Sequence, residues 1–135
     1  MVETKLDYAF LADFAQVVDN KLTAVGASYT YLLTHKVPAQ HMLSVAGRVR
    51  ASSDVQVVPL HVEVEGPDAA YSISVDLELE GAGQIRPYDG KIGFLFAVTL
   101  PIPLVSTGLY SVYLDVNGER QRRLAFEVQT HPSAE

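Results

Sequence analysis

The chain has 135 residues, 48% of them hydrophobic, which is enough for one compact domain with its own core. It contains no cysteine, so a disulfide framework, a thiolate metal site and a cysteine nucleophile are all excluded. Ten Lys and Arg against sixteen Asp and Glu give a net charge of -6, which repels nucleic acid and anionic membrane surfaces alike.

The opening "MVETKLDYAFLADF" interrupts its apolar run with Asp7 and Asp13, unlike a secretory signal, and no window approaches a membrane span. A cytoplasmic protein with no membrane and no nucleic-acid partner is expected. Leu6, Phe10, Phe14 and Val18 fit a helical spacing, but the stretch "LADFAQVVDNKLTAVGA" also reads as a hairpin turning at Asp19-Asn20, and the hairpin is preferred. Facing residues then have numbers that sum to 39: Phe14 meets Val25, Phe10 meets Tyr29 and Tyr8 meets Tyr31. On the other face Val17 meets Leu22, Ala15 meets Ala24, Asp13 meets Gly26 and Leu11 meets Ser28. This second face is small and apolar around one carboxylate. Leu11, Asp13, Ala15, Val17, Leu22 and Gly26 are therefore candidates for an interface, with Asp13 either tying down a loop of its own chain or anchoring a partner.

Alternation of apolar and polar residues marks the strands that follow, because successive side chains point to opposite faces. "MLSVAGRVR" turns Leu43, Val45 and Val49 inward; "YSISVDLELE" does so with Tyr71, Ile73, Val75, Leu77 and Leu79; "KIGFLFAVTL" with Ile92, Phe94, Phe96, Val98 and Leu100. In "VQVVPLHVEVEG" the phase slips near Val57 and Val58, and Pro59 lacks a ladder donor, so a bulge or an edge strand is expected there. "THKVPAQH", "GPDAA", "GAGQIRPYDG" and "PIPLVSTG" read as loops. Asn117-Gly118 is a two-residue hairpin turn joining Tyr110, Val112, Leu114 and Val116 to Leu124, Phe126 and Val128. Gly108, Leu109 and Tyr110 open that hairpin in the manner of a tyrosine corner. The tail "THPSAE" reads as frayed, so the expected domain spans residues 1–130 and the tail 131–135.

About eight strands without a helix indicate an all-β, single-domain antiparallel β-sandwich, immunoglobulin-like or jelly-roll-like, with an open barrel as the alternative. The two ends, "LADFAQVVDNKLTAVGASY" and "LPIPLVSTGLYSVYLDVNGERQRRLAFEV", resemble a family of small uncharacterised bacterial proteins. Members of that family begin with an Ala-Asp-x-Ala strand, a turn and a Lys-Leu strand, and end in Gly-x-Tyr and an Asx-Gly hairpin. The resemblance implies a shared fold and brings no activity, cofactor or substrate.

Chemistry-bearing patterns are sparse. His35 and His41 flank one loop but fall short of the three ligands that zinc requires, so neither a metal nor another cofactor is expected. Asp19, Asp54, Asp68 and Asp89 are isolated turn residues, and no phosphate loop, nucleophile elbow or zinc-protease helix occurs. Glu63, Glu65, Asp76, Glu78 and Glu80 would make an acidic outer surface, and Arg48, Arg50, Arg120, Arg122 and Arg123 basic ones; exposed charge runs are usually solvated faces, and complementary self-association becomes available if the two areas belong to different edges. The leading expectation is a non-enzymatic protein-interaction or self-assembly module, with a protein partner or a homo-oligomer. The alternative is a small-ligand or carbohydrate-binding sandwich using His35, His41, Tyr88, Asp89 and Lys91 at one end; a hydrolase comes third.

Overall fold

The structure is a computed structural model and describes residues 4–80 and 86–131. It is all-β. Ten strands follow in chain order: β1 Lys5–Ala12, β2 Phe14–Val18, β3 Lys21–Val25, β4 Tyr31–Thr34, β5 Ala39–Ser52, β6 Val57–Glu65, β7 Ser72–Glu80, β8 Lys91–Leu104, β9 Gly108–Val116 and β10 Glu119–Thr130. One sheet has the order β1-β5-β8, the other β4-β10-β9-β6-β7, and β2-β3 is a separate hairpin. The count exceeds the expected eight because the N-terminal region divides into four short strands. All pairings are antiparallel except β4 with β10, which is parallel.

The two larger sheets share one core. Leu43, Val45, Val49, Phe94 and Phe96 of the first meet Leu60, Val62, Val64, Val112, Leu114 and Phe126 of the second. Each set comes from alternate positions of its strand, so the period-two pattern read from the sequence is the burial pattern observed. Tyr110 is fully buried, stacks on Phe126 at 5.3 Å, and donates its hydroxyl to the Ser106 carbonyl at 2.8 Å. That bond ties the corner before β9 to the strand itself.

Two bulges are coupled across the sandwich. The β1–β5 register shifts between Leu6 and Tyr8, and the β10–β9 register between Arg120 and Arg122, leaving Asp7 and Gln121 as the extra residues. The Gln121 amide oxygen accepts the Leu6 N–H at 2.7 Å, so the second bulge supplies an acceptor to a donor beside the first. Where β1 passes over β5 the backbones come close. A Cβ on Gly47 would lie 2.2 Å from the Tyr8 carbonyl oxygen, so only glycine fits.

Three local expectations are corrected, the first being that "THKVPAQH" is a loop only as far as Pro38, since β5 begins at Ala39. β6 is an interior strand between β9 and β7, with an unbroken register to β7 and no bulge. Pro59 is tolerated because it lies just past the β9 pairing, at the hairpin end, where its carbonyl still accepts the Asn117 N–H at 3.1 Å. "PIPLVSTG" is a loop only in its second half. β8 runs on through Pro101 and Pro103, which an outermost strand accommodates by turning proline nitrogens away from the ladder. Of "GAGQIRPYDG", residues 81–85 lie outside the described residues, as do 132–135 of the tail; Tyr88 and Lys91 close a tight turn with reciprocal backbone bonds of 2.8 Å.

Candidate functional site: the outer strand β4 and its groove

The first hairpin has the expected register. Phe14 pairs with Val25, Ala15 with Ala24 and Val17 with Leu22, and Asp19 and Asn20 both adopt the positive φ of a type I′ turn. The expected continuation to the aromatic pairs does not occur. Ser28 still donates to the Leu11 carbonyl at 2.6 Å, but then the chain leaves for the other sheet. Tyr8 pairs with Arg48 in β5, and Tyr31 pairs with Glu127 in β10.

The small face of the hairpin is covered in part by the chain itself. Ala15 is buried with Ala12 and Ala46, and Phe10, Leu22 and Ala97 pack around them, so the small face lies on the outer side of β5 and β8. Leu11 is buried in the main core. Alanine suits this contact because a short side chain lets the backbones approach closely. Phe14, Val18 and Val25 face outward, and Val17, near the hairpin tip, is partly exposed. The chain's own sheet thus covers Ala15 and part of Leu22, while Asp13, Val17, Ala24 and Gly26 of the same face stay exposed.

Asp13 sits at the bend between β1 and β2, with its N–H bonded to the Val25 carbonyl at 3.0 Å. Its carboxylate lies against Gly26, where a Cβ would come within 2.2 Å of Oδ2, and Gly26 itself has φ +63°. The side chain is exposed, so the several kcal/mol cost of burying a lone carboxylate does not arise. None of the ion pairs among the described residues involves it. Its charge reaches Tyr29 and His41, whose hydroxyl and Nε2 are 3.2 Å apart. Burial holds His41 below the ordinary imidazole range, with Asp13 opposing; burial and the Asp13 charge both push the Tyr29 phenol up.

Asp13, Gly26, Ala27 and Ser28 form one wall of an open groove of about 530 Å3, and the chain from Tyr29 to Leu33 forms the other. That second wall is β4, the outermost strand of its sheet. Glu127 N–H donates to the Thr30 carbonyl at 2.9 Å and His131 N–H to the Thr34 carbonyl at 3.2 Å. Backbone groups alternate direction along a strand, so Thr30, Leu32 and Thr34 address β10 while Tyr31 and Leu33 direct their N–H and C=O into the groove. The side chains of Tyr31 and Leu33 are 58% and 54% exposed.

The other expected site residues are dispersed. His41 pairs with Ile102 near the start of β5, whereas Lys91 pairs with Ser52 at the far end of that strand. The His35 ring meets the His131 ring edge to face at 4.4 Å beyond the end of β4. The grouping of His35 and His41 with Tyr88, Asp89 and Lys91 at one end is therefore corrected: β5 separates them by its full length. Among the described residues no three His, Asp or Glu side chains gather as metal ligands. The charged surfaces are also less separate than expected, since Arg120 bridges Asp115 at 3.0 Å and Glu63 at 2.9 Å and lies over the Tyr113 ring.

Tyr88 contributes to a different groove, of about 600 Å3, together with Tyr8, Arg48 and Leu22. The Arg48 guanidinium lies 5.3 Å from the Tyr8 ring centre and 5.9 Å from that of Tyr88. Its Nε donates to Asp7 at 2.8 Å, and this hydrogen bond holds the Asp7 carboxyl below the usual range. The β1 bulge is what aims Asp7 at Arg48.

Residues 7–129 match a family of unknown function, DUF6941. The chain belongs to this family. DUF6941 is an uncharacterised domain family, as the resemblance at the two ends implied, and the match spans both sheets and the hairpin. No curated protein matches the sequence. No helix long and apolar enough to cross a membrane occurs among the described residues.

Proposed function

We propose that this DUF6941 domain is a non-enzymatic protein-interaction module that accepts an extended segment along β4. The supporting observation is the pair Tyr31 and Leu33, whose backbone groups and exposed apolar side chains both lie at an outer strand bordered by a groove. A segment added there gains main-chain hydrogen bonds from the strand edge and specificity from alternate side chains. We further propose that the sandwich is immunoglobulin-like, on the strength of the Tyr110 corner and the parallel pairing of an early strand with the last. The lack of cysteine suits a role in the reducing cytoplasm.

The test is binding of a capped peptide of alternating Val and Thr, followed by fluorescence anisotropy, to the wild type and to Leu33→Pro. Proline at 33 removes a donor directed into the groove and none directed at β10. Binding that is lost in the variant, with an unchanged urea midpoint, supports the reading; equal binding by both refutes it.

A second reading, a small-ligand site, is favoured by one observation: Arg48 set between Tyr8 and Tyr88 suits a planar anion. Calorimetric titration with aromatic carboxylates checks it, and heat unchanged by Tyr88→Ala rejects it.

A further inference from the structure

We infer that the segment accepted by β4 is β4 of a second copy of this chain, paired antiparallel about a two-fold axis with Tyr31 opposite Leu33. This rests on the strand-addition reading above and names its partner.

Register follows from hydrogen-bond direction. In an antiparallel pair, residues that exchange both bonds must each point their N–H and C=O at the other strand. Only Tyr31 and Leu33 of β4 do so. Setting Tyr31 of each copy against Leu33 of the other uses all of these groups, whereas Tyr31 against Tyr31 or Leu33 against Leu33 uses half. The chosen register brings Leu32 to Leu32 on the axis, covering a half-buried side chain, and places Tyr31 beside Leu33 of the second copy on the outer face. A two-fold contact of this kind is closed, so it ends at a dimer.

Charge supports the same arrangement. Residues in this register have numbers that sum to 64, so Ser28 falls opposite Lys36 of the second copy and Tyr29 opposite His35. Ser28 lies on the groove wall that also carries Asp13. Lys36 is exposed and enters none of the ion pairs among the described residues. Each copy thus offers a carboxylate before β4 and an ammonium after it, and antiparallel pairing brings them together twice. Parallel addition would set Asp13 against Asp13.

Sedimentation velocity over a concentration series tests this with wild type, Asp13→Lys, Lys36→Glu, the double variant and Leu33→Pro, each checked for folding by its urea midpoint. The wild type is expected to dimerise, more weakly at high salt, and Leu33→Pro to stay monomeric. Lys36→Glu, at an exposed position, is expected to weaken the dimer about tenfold, since two exposed ion pairs of up to about 1 kcal/mol each become repulsive. The double variant is expected to recover it. A dimer indifferent to Leu33→Pro overturns the inference, as does one that responds to Leu33→Pro but not to Lys36→Glu or salt. A wild type that stays monomeric yet binds the Val/Thr peptide overturns the second copy as partner and leaves strand addition standing. A monomer that binds no peptide overturns both.

Discussion

The five-stranded sheet ends in β4 on one side and β7 on the other, and the two ends are built differently. β7 presents Ser72, Ser74, Asp76, Glu78 and Glu80 outward, so a strand approaching it meets a charge at every second residue over its second half. β4 presents Tyr31 and Leu33 in the same positions. Charged side chains on an outer strand are a common protection against unwanted pairing. One edge of this sheet is therefore protected and the other is not, although both belong to the same sheet and share the same core. A short strand with no charge, beside a groove whose Asp13 carboxylate enters no ion pair among the described residues, is what an edge kept for a partner requires.

Substitutions that erase or invert this contrast should act in a graded order. Leu32→Pro removes a β4 donor directed at β10 and should destabilise the fold by about 3 kcal/mol, whereas Leu33→Pro should change stability by under about 1 kcal/mol; urea unfolding separates them. Gly26→Ala forces a Cβ into Asp13 at a positive φ, and a loss of about 2 kcal/mol is expected from the same assay. Unprotecting the other edge with Glu78→Val and Glu80→Val should leave stability within about 0.5 kcal/mol and drive association beyond the dimer, seen as light scattering that rises with concentration above that of the wild type.

The smallest effect is a titration. His41 is faced by Tyr29 and Asp13, and its folded pKa lies below the ordinary value near 6.5. Its contribution to stability is complete above that value and is lost as pH falls through the lowered folded value, because the unfolded chain then binds the extra proton. Asp13→Asn removes the charge that favours imidazolium, so the His41 titration seen by NMR should move further down.

Much of the body was legible in the residues. Alternation over Ser72–Glu80 and around Tyr110 depends only on local side-chain period, and the Asp19-Asn20 turn sets a register that holds from Val18 back to Phe14. The site was not legible in the same way. Nothing local tells Ser28 to Thr30 to stop pairing with β1 and cross to β10; the crossing follows from which sheet has an unfilled edge. Asp13 and Gly26 are neighbours, as the hairpin register implies, yet Leu11 is buried because β1 is itself a strand of the first sheet, and Ala15 because the hairpin folds onto the outer side of β5 and β8. Residues read as loop carry no record of strand order, so the sequence alone cannot separate His35 and His41 from Lys91. "TYLLT", an uncharged stretch, is the available signal for β4, and the hairpin register competes with it by setting Tyr31 opposite Tyr8.

Backbone amide exchange at Tyr31 and Leu33, in dilute and in concentrated protein, tests the central claim most directly. The account predicts that both amides slow as concentration rises while the β7 amides from Ser72 to Glu80 keep their rates. Slowing confined to β7 or to the β2-β3 hairpin, with Tyr31 and Leu33 exchanging freely at every concentration, would contradict it.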